Sequence, residues 1–351
     1  MQTNILKISI PDSLEKEVEK GYSEGVSGAF MGFINGKAIQ AGGCNFPENP
    51  MEASPIKKFY SGIYEIEEKS AASWTPKRVA SLPKALAYGQ MVSTPKGLVF
   101  VGGSNSEGSF PEVYILKCTE DNYEIENLNN LPGTIDNFAI TSIGNTVYVA
   151  GGNFNGEPSS KIFKLEIGEK DGWKELQPFP GNPRVQPVMA HGKDKDGKEY
   201  IYLWGGFAGK GENREASLNT DGLKLDLENG EWYHLDAPKD AQGKEISTGG
   251  GCCAILGDGR IAVAGGVNKD IFLSALKSLP EGYILHEPEW YKFNPNLLIF
   301  NPVKEEWCIE LTSVALARAG AGMVSDNMTL IISGGEIKPR IRTADVFVVT
   351  I

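Results

Sequence analysis

Positive charge, histidine and long apolar runs are all scarce in this chain, and each shortage excludes something. Lys and Arg number 34 against 45 Asp and Glu, a formal net charge of −11. Such a field disfavours nucleic acid and anionic membrane surfaces as partners, and an anionic ligand would need a local basic cluster. The three histidines, His191, His234 and His286, form no pair at ligand spacing, so neither a metal site nor a copper oxidase centre is expected. Five cysteines (Cys44, Cys118, Cys252, Cys253 and Cys308) are scattered without C-x-x-C spacing. Reduced, buried thiols are expected there, not disulfides or zinc. No run could span a bilayer, and the opening MQTNILKISIPDSLEKEVEKGYSEG lacks the basic start and apolar core of a signal peptide. A cytoplasmic location is therefore expected unless a leader has been removed. The glycine-rich GGFAGKGE lacks the Lys-Ser/Thr ending of a phosphate cradle.

Glycine, in contrast, is abundant at 42 residues, and proline reaches 20. The glycines fall in a pattern. Six runs rich in β-branched or aromatic residues end in a glycine pair: KAIQAGG, GLVFVGG, TVYVAGG, YIYLWGG, RIAVAGG and TLIISGG. Their first glycines, Gly42, Gly102, Gly151, Gly205, Gly265 and Gly334, are 60, 49, 54, 60 and 69 residues apart. Counting from Gly334 through the C-terminus and on to Gly42 gives 59, an interval like the others.

Each unit continues with a loop, a strand such as SKIFKLEI, and a strand bearing Trp74, Trp173, Trp232 or Trp307, with Tyr123 in that place in the second unit. A proline-containing link then leads to a small, glycine-rich strand. Four short strands in about 50–60 residues make a propeller blade. The pattern resembles the kelch repeat. The expected fold is all-β, a single six-bladed β-propeller domain over residues 1–351, with a short helical insertion at about 268–295. After Gly335 only one strand remains, so residues 4–10 are expected to supply the outer strand of the last blade and close the ring.

In a propeller the link before the inner strand and the loop after the glycine pair share one face. That face should gather Lys84, Tyr88, Asn105, Asn137, Arg184, Gln186, Asn268, Arg318, Glu336, Arg340 and Arg342. Phe272, Leu276 and Leu279 fall at helical spacing in the insertion, which could cover part of the face as a rim or a lid. Glu336 beside arginines can be a structural ion pair between blades. It can also be a proton-transferring carboxylate next to guanidinium groups that grip an anion.

The stretch GGEIKPRIRT, with carboxylate, proline and arginine six positions on, resembles the motif of the kelch-type N-acetylneuraminate epimerases, or sialic acid mutarotases. GGVNKDIF (265–272) and FPGNPRVQ (179–186) are similar to that family too. The resemblance implies an isomerase whose active glutamate and arginine are Glu336 and Arg342. Arg184, Gln186, Asn268, Arg318 and Tyr88 are candidates for binding the substrate. In the better-known members FPGNPRVQ comes first and the Glu–Arg blade lies past the middle, so this chain looks cyclically permuted.

The implied reaction interconverts the anomers of sialic acid or a related acidic sugar, a small-molecule partner. A carboxylate removes the anomeric proton, an arginine clamps the substrate carboxylate or orients the base, and a water or a tyrosine serves the ring oxygen. No cofactor is implied. Two other uses of the fold are a non-catalytic kelch interaction scaffold and, with less support, a sialidase, whose Asp-box repeats are missing.

Overall fold

A computed structural model describes residues 4–8, 18–70, 73–119 and 122–351. It holds six four-stranded antiparallel sheets, arranged like the blades of a propeller, with small two- and three-stranded hairpins on their loops. The second sheet shows the pattern: Gln90–Thr94 innermost, then Gly97–Val101, Val113–Thr119 and Asn122–Asn127. In the sixth sheet the order is Gly322–Asp326, Thr329–Ser333, Val346–Thr350 and Asn4–Ile8. The N-terminal strand therefore pairs with the C-terminal one, Asn4 opposite Thr350 and Ile8 opposite Val346. Ser9 and Ile10, also expected in that strand, lie outside the described residues.

Strands that end in a glycine pair are buried along their length, as Gly97–Val101 and Ile261–Ala264 show. They lie between two neighbouring sheets, so both faces must be apolar, and their sequences read as continuous runs instead of alternating ones. The core is accordingly divided among the sheet interfaces. Phe30, Ile39, Leu98 and Phe100 fill the first–second interface, and Val99, Ile115, Val149 and Phe163 the next. Met31, Ala38, Val324, Ile331 and Val346 join the sixth sheet to the first. Outer strands are mostly exposed instead, with only Tyr123 and Ile125 partly buried in Asn122–Asn127. Of the five thiols, Cys44 and Cys252 are buried, Cys118 and Cys253 are partly so, and Cys308 is exposed. Cys308 lies on an outer strand that has solvent on one side.

The glycine pairs are required by backbone contact. All twelve residues have positive φ. In five of the pairs the second amide donates to a carbonyl in the following unit's link: Gly43 to Leu86, Gly103 to Ile135, Gly152 to Arg184, Gly266 to Arg318, and Gly335 to Val26. At Gly102 and Gly265 a side chain would put a Cβ 2.5 Å from the same carbonyl oxygens. Glycine alone combines that backbone conformation with that approach.

A second series of hydrogen bonds runs around the axis. The Tyr88 amide donates to Gly28, Asn137 to Tyr88, Gln186 to Asn137, Gly250 to Gln186, Gly320 to Gly250, and Gly28 to Gly320, all at 2.7–2.9 Å. The series returns to its start. Each of the six residues has a left-handed backbone, φ between 51° and 74°. Below them a cavity of about 390 Å³ follows the axis between the inner strands.

Candidate active site

Isolated bridges join Ser27 to Cys44, Ala87 to Ser104, Val185 to Phe207, and Ala319 to Glu336. In each, the residue following a glycine pair lies against its own unit's link, so loop and link share one face. On that face Glu336–Lys338 pairs with Ile341–Arg342 in a short hairpin, with Glu336 directly opposite Arg342. Directly opposed residues project to the same side of a sheet. Arg340 takes the left-handed turn position after Pro339, with φ 71°.

The Arg342 Nη1 group donates to Glu336 Oε2. The arginine side chain is 5% exposed and the glutamate 26%, so the carboxylate keeps an opening to solvent. The Arg340 amide also donates to Oε2, at 3.4 Å. Burial pushes the Glu336 carboxyl above its ordinary range, and Arg342, the Arg340 amide and Lys57 offset this only in part. For Arg342, burial opposes the charge, but Glu336, Tyr88 and Cys44 outweigh it and hold its pKa above the usual arginine value.

Tyr88 is the second group of the site. Its left-handed backbone swings the ring over Gly28, where a Cβ would meet Tyr88 Cδ1 at 2.6 Å. The hydroxyl accepts from Cys44 Sγ at 3.2 Å and from Lys57 Nζ at 3.4 Å. Burial, then Cys44, raises the phenol's pKa, so it stays protonated across the neutral range. Phe46 lies beneath both Arg342 and Lys57, 5.3 and 5.5 Å from its ring centre.

The six axial residues divide this face into unlike halves. Tyr88, Asn137 and Gln186 carry side chains, and Gln186 Nε2 donates to Asn137 Oδ1 at 2.7 Å. Gly250, Gly320 and Gly28 carry none, and Gly320 follows the residue that pairs with Glu336.

The insertion of the fifth unit borders the face. Its helix, Lys269–Lys277, is capped by Asn268, whose Oδ1 accepts from the Asp270 and Ile271 amides at 3.1 Å. Phe272 packs edge-on against Phe207 at 4.8 Å. Leu279, expected on the helix's apolar side, falls beyond the cap Ser278 and is exposed, because the helix ends at Lys277. Tyr283, Tyr291 and Phe293 are buried beneath the segment. Lys338 Nζ donates to the His286 carbonyl at 2.9 Å and ties the Glu336 hairpin to the insertion. Burial, with Tyr291 and Glu336 adding to it, raises Tyr283 to about 12.

Arg184 and Arg318 lie elsewhere than the open face. They stand where other units have Val26, Leu86 and Ile135, at core positions. Arg184 donates to the Gly205 and Asp221 carbonyls at 2.9 and 3.1 Å and to both Asp221 carboxylate oxygens. Arg318 donates to the carbonyls of Gly334 at 2.6 Å and Ala315 at 2.8 Å, and lies over Phe347. Burial lowers its pKa to about 10. Lys84 is paired with Glu112, and the Asn105 amide group holds the Ala85 carbonyl. Sequence reasoning leaves out Lys57, Phe46 and Cys44, which the structure brings to Glu336 and Tyr88. Among the described residues no three His, Cys, Asp or Glu side chains converge to hold a metal.

A family model described as NANM: N-acetylneuraminate epimerase matches residues 128–351. The chain is similar to the N-acetylneuraminate epimerases of Haemophilus influenzae (strain PittEE), 30% identical over 211 residues, and Yersinia pestis (strain Pestoides F), 28% over 251. These matches take in 58% and 66% of this chain, and 54% and 60% of the relatives. The chain thus spans little more than half the length of these curated relatives. The solved structure titled "Structure of YjhT" is 14% identical, with a TM-score of 0.66 over 93% of this chain and 95% of that one. At that identity the likeness speaks for the fold alone.

Proposed function

The chain belongs to the N-acetylneuraminate epimerase family, and from that premise we propose that it is a mutarotase that interconverts the anomers of N-acetylneuraminic acid or a related acidic sugar. The observation that carries the reading is the Glu336–Arg342 pair. It combines a partly exposed carboxylate of raised basicity with a guanidinium that orients it.

Glu336 takes the proton of the anomeric hydroxyl as the bond from the anomeric carbon to the ring oxygen breaks. The product is the open keto acid. Tyr88, protonated and within the same cluster, donates to the departing ring oxygen. After rotation the ring oxygen attacks the other face of the ketone, and both protons return. Proton and electron pair end where they began, so the cycle needs no oxidant, reductant or cofactor. Arg342 holds the Glu336 carboxylate in place, and Gln186, held by Asn137, offers its amide oxygen to the sugar hydroxyls.

We further infer a closed six-bladed ring, a single domain, in which the order of blades is cyclically permuted relative to the better-known relatives. The pairing of Asn4–Ile8 with Val346–Thr350 and the returning series of axial hydrogen bonds support the closure. Sequence matches that span about half of each relative, beside a structural match over nearly all of the chain, support the permutation. In a ring, moving the chain break leaves the axial contacts unchanged.

The test is the approach to anomeric equilibrium of N-acetylneuraminic acid released as a single anomer, followed by NMR with and without the protein. Acceleration of this acid is expected, with none of glucose. No acceleration of the acid would refute the proposed activity.

A further inference from the structure

An acidic sugar whose anomeric carbon carries a carboxylate needs a cation close to the base, because carboxylate and reacting hydroxyl share that carbon. Most cations on this face are already engaged. The Arg342 guanidinium bonds Glu336, and that of Arg340 donates to the Glu52 and Pro50 carbonyls at 2.7 and 3.4 Å. Arg184 and Arg318 lie off the face, buried against carbonyls, while Lys84 pairs with Glu112 and Lys338 bonds the His286 carbonyl.

Lys57 differs from all of them. It ends the loop 46–57, just before the strand Lys58–Phe59, and is partly exposed. Among the described residues it has no carboxylate within salt-bridge distance. Its ammonium reaches the Tyr88 hydroxyl at a long 3.4 Å and lies over the Phe46 and Tyr88 rings at 5.5 and 5.2 Å. Aromatic faces hold a cation in place without neutralising it. Phe46 carries Lys57 and Arg342 on one ring, which sets the free ammonium beside the base's partner.

We propose that Lys57 is the residue that binds the substrate carboxylate and so sets the preference for an acidic over a neutral sugar. The proposal rests on the reading of this face as a sugar-acid site. An ammonium is a point charge with rotatable donors, suited to a carboxylate that must turn with the anomeric carbon during epimerisation.

Binding separates this role from catalysis. The probes are N-acetylneuraminic acid and its uncharged methyl ester, titrated calorimetrically into the Glu336→Gln protein and into that protein carrying Lys57→Met or Lys57→Arg. Lys57→Met is expected to weaken the acid about 10- to 100-fold and the ester less than about threefold. Lys57→Arg should restore the acid to within about fivefold, with melting temperatures showing that all three proteins fold. Equal losses for acid and ester, an acid affinity unchanged by Lys57→Met, or no acid binding to the Glu336→Gln protein would each overturn the proposal. If wild type accelerates no anomerisation while Lys57 still separates acid from ester, the mutarotase reading fails and the carboxylate site stands.

Discussion

Arg342 and Arg184 are both buried arginines bonded to a carboxylate, yet they sit in opposite settings. Arg184 takes a core position, and its Nη1 and Nη2 groups bond two backbone carbonyls and Asp221. Arg318 repeats the arrangement two units later with the Gly334 and Ala315 carbonyls. Arg342 stands on a surface hairpin, and its partner Glu336 keeps an opening to solvent. A buried guanidinium is thus a staple where its acceptors are main chain, and in the proposed site it orients a half-open carboxylate of raised basicity. Side-chain type and burial alone do not tell the two apart.

This contrast can be broken by substitution. The largest effect is expected from Glu336→Gln, which keeps the shape and removes the base. Acceleration of sialic acid anomerisation should fall about 100- to 1,000-fold by NMR, with the melting temperature little changed. Arg342→Lys comes next, at about 10- to 100-fold, because an ammonium cannot reproduce the guanidinium's planar hold on the carboxylate. Tyr88→Phe should cost about tenfold if the phenol serves the ring oxygen.

Arg184→Met should have the smallest effect on rate, within about twofold per folded molecule. It should instead lower unfolding stability by about 2–3 kcal/mol in urea, since it leaves the Gly205 and Asp221 carbonyls without their donor. If Arg184→Met abolished catalysis at unchanged stability, the distinction between the two settings would fail.

The sequence pattern carries the sheets well, because a strand buried on both faces followed by a glycine pair is a local signal, and it recurs six times. Glu336 and Arg342 stand out in the sequence through the family resemblance of GGEIKPRIRT, and the structure adds that they are cross-strand partners within one short hairpin. Arg184 and Arg318 are not legible by residue type, which suggests a ligand-binding cation. Their place in the repeat is the better guide, since Val26, Leu86 and Ile135 mark the same position as core. Lys57 bears no local mark at all. It lies near the opposite end of the chain from Glu336, and only the folding of the first loop onto the sixth hairpin, where Arg340 bonds the Glu52 carbonyl, brings them together. Leu279 shows the limit of periodicity, which continues past Lys277 although the helix does not.

If Glu336 is the base and burial raises its basicity, as proposed, its titration should appear in the pH profile of catalysed anomerisation. The ionised carboxylate is the active form, so after subtraction of the solvent reaction the rate should fall as pH drops through the raised pKa of Glu336. The midpoint should lie above the ordinary carboxylate value of about 4.3, and the residual rate of Glu336→Gln should show no such limb. A limb of the same midpoint in Glu336→Gln, or a wild-type rate undiminished down to pH ~4, would mean that a group other than Glu336 is the base.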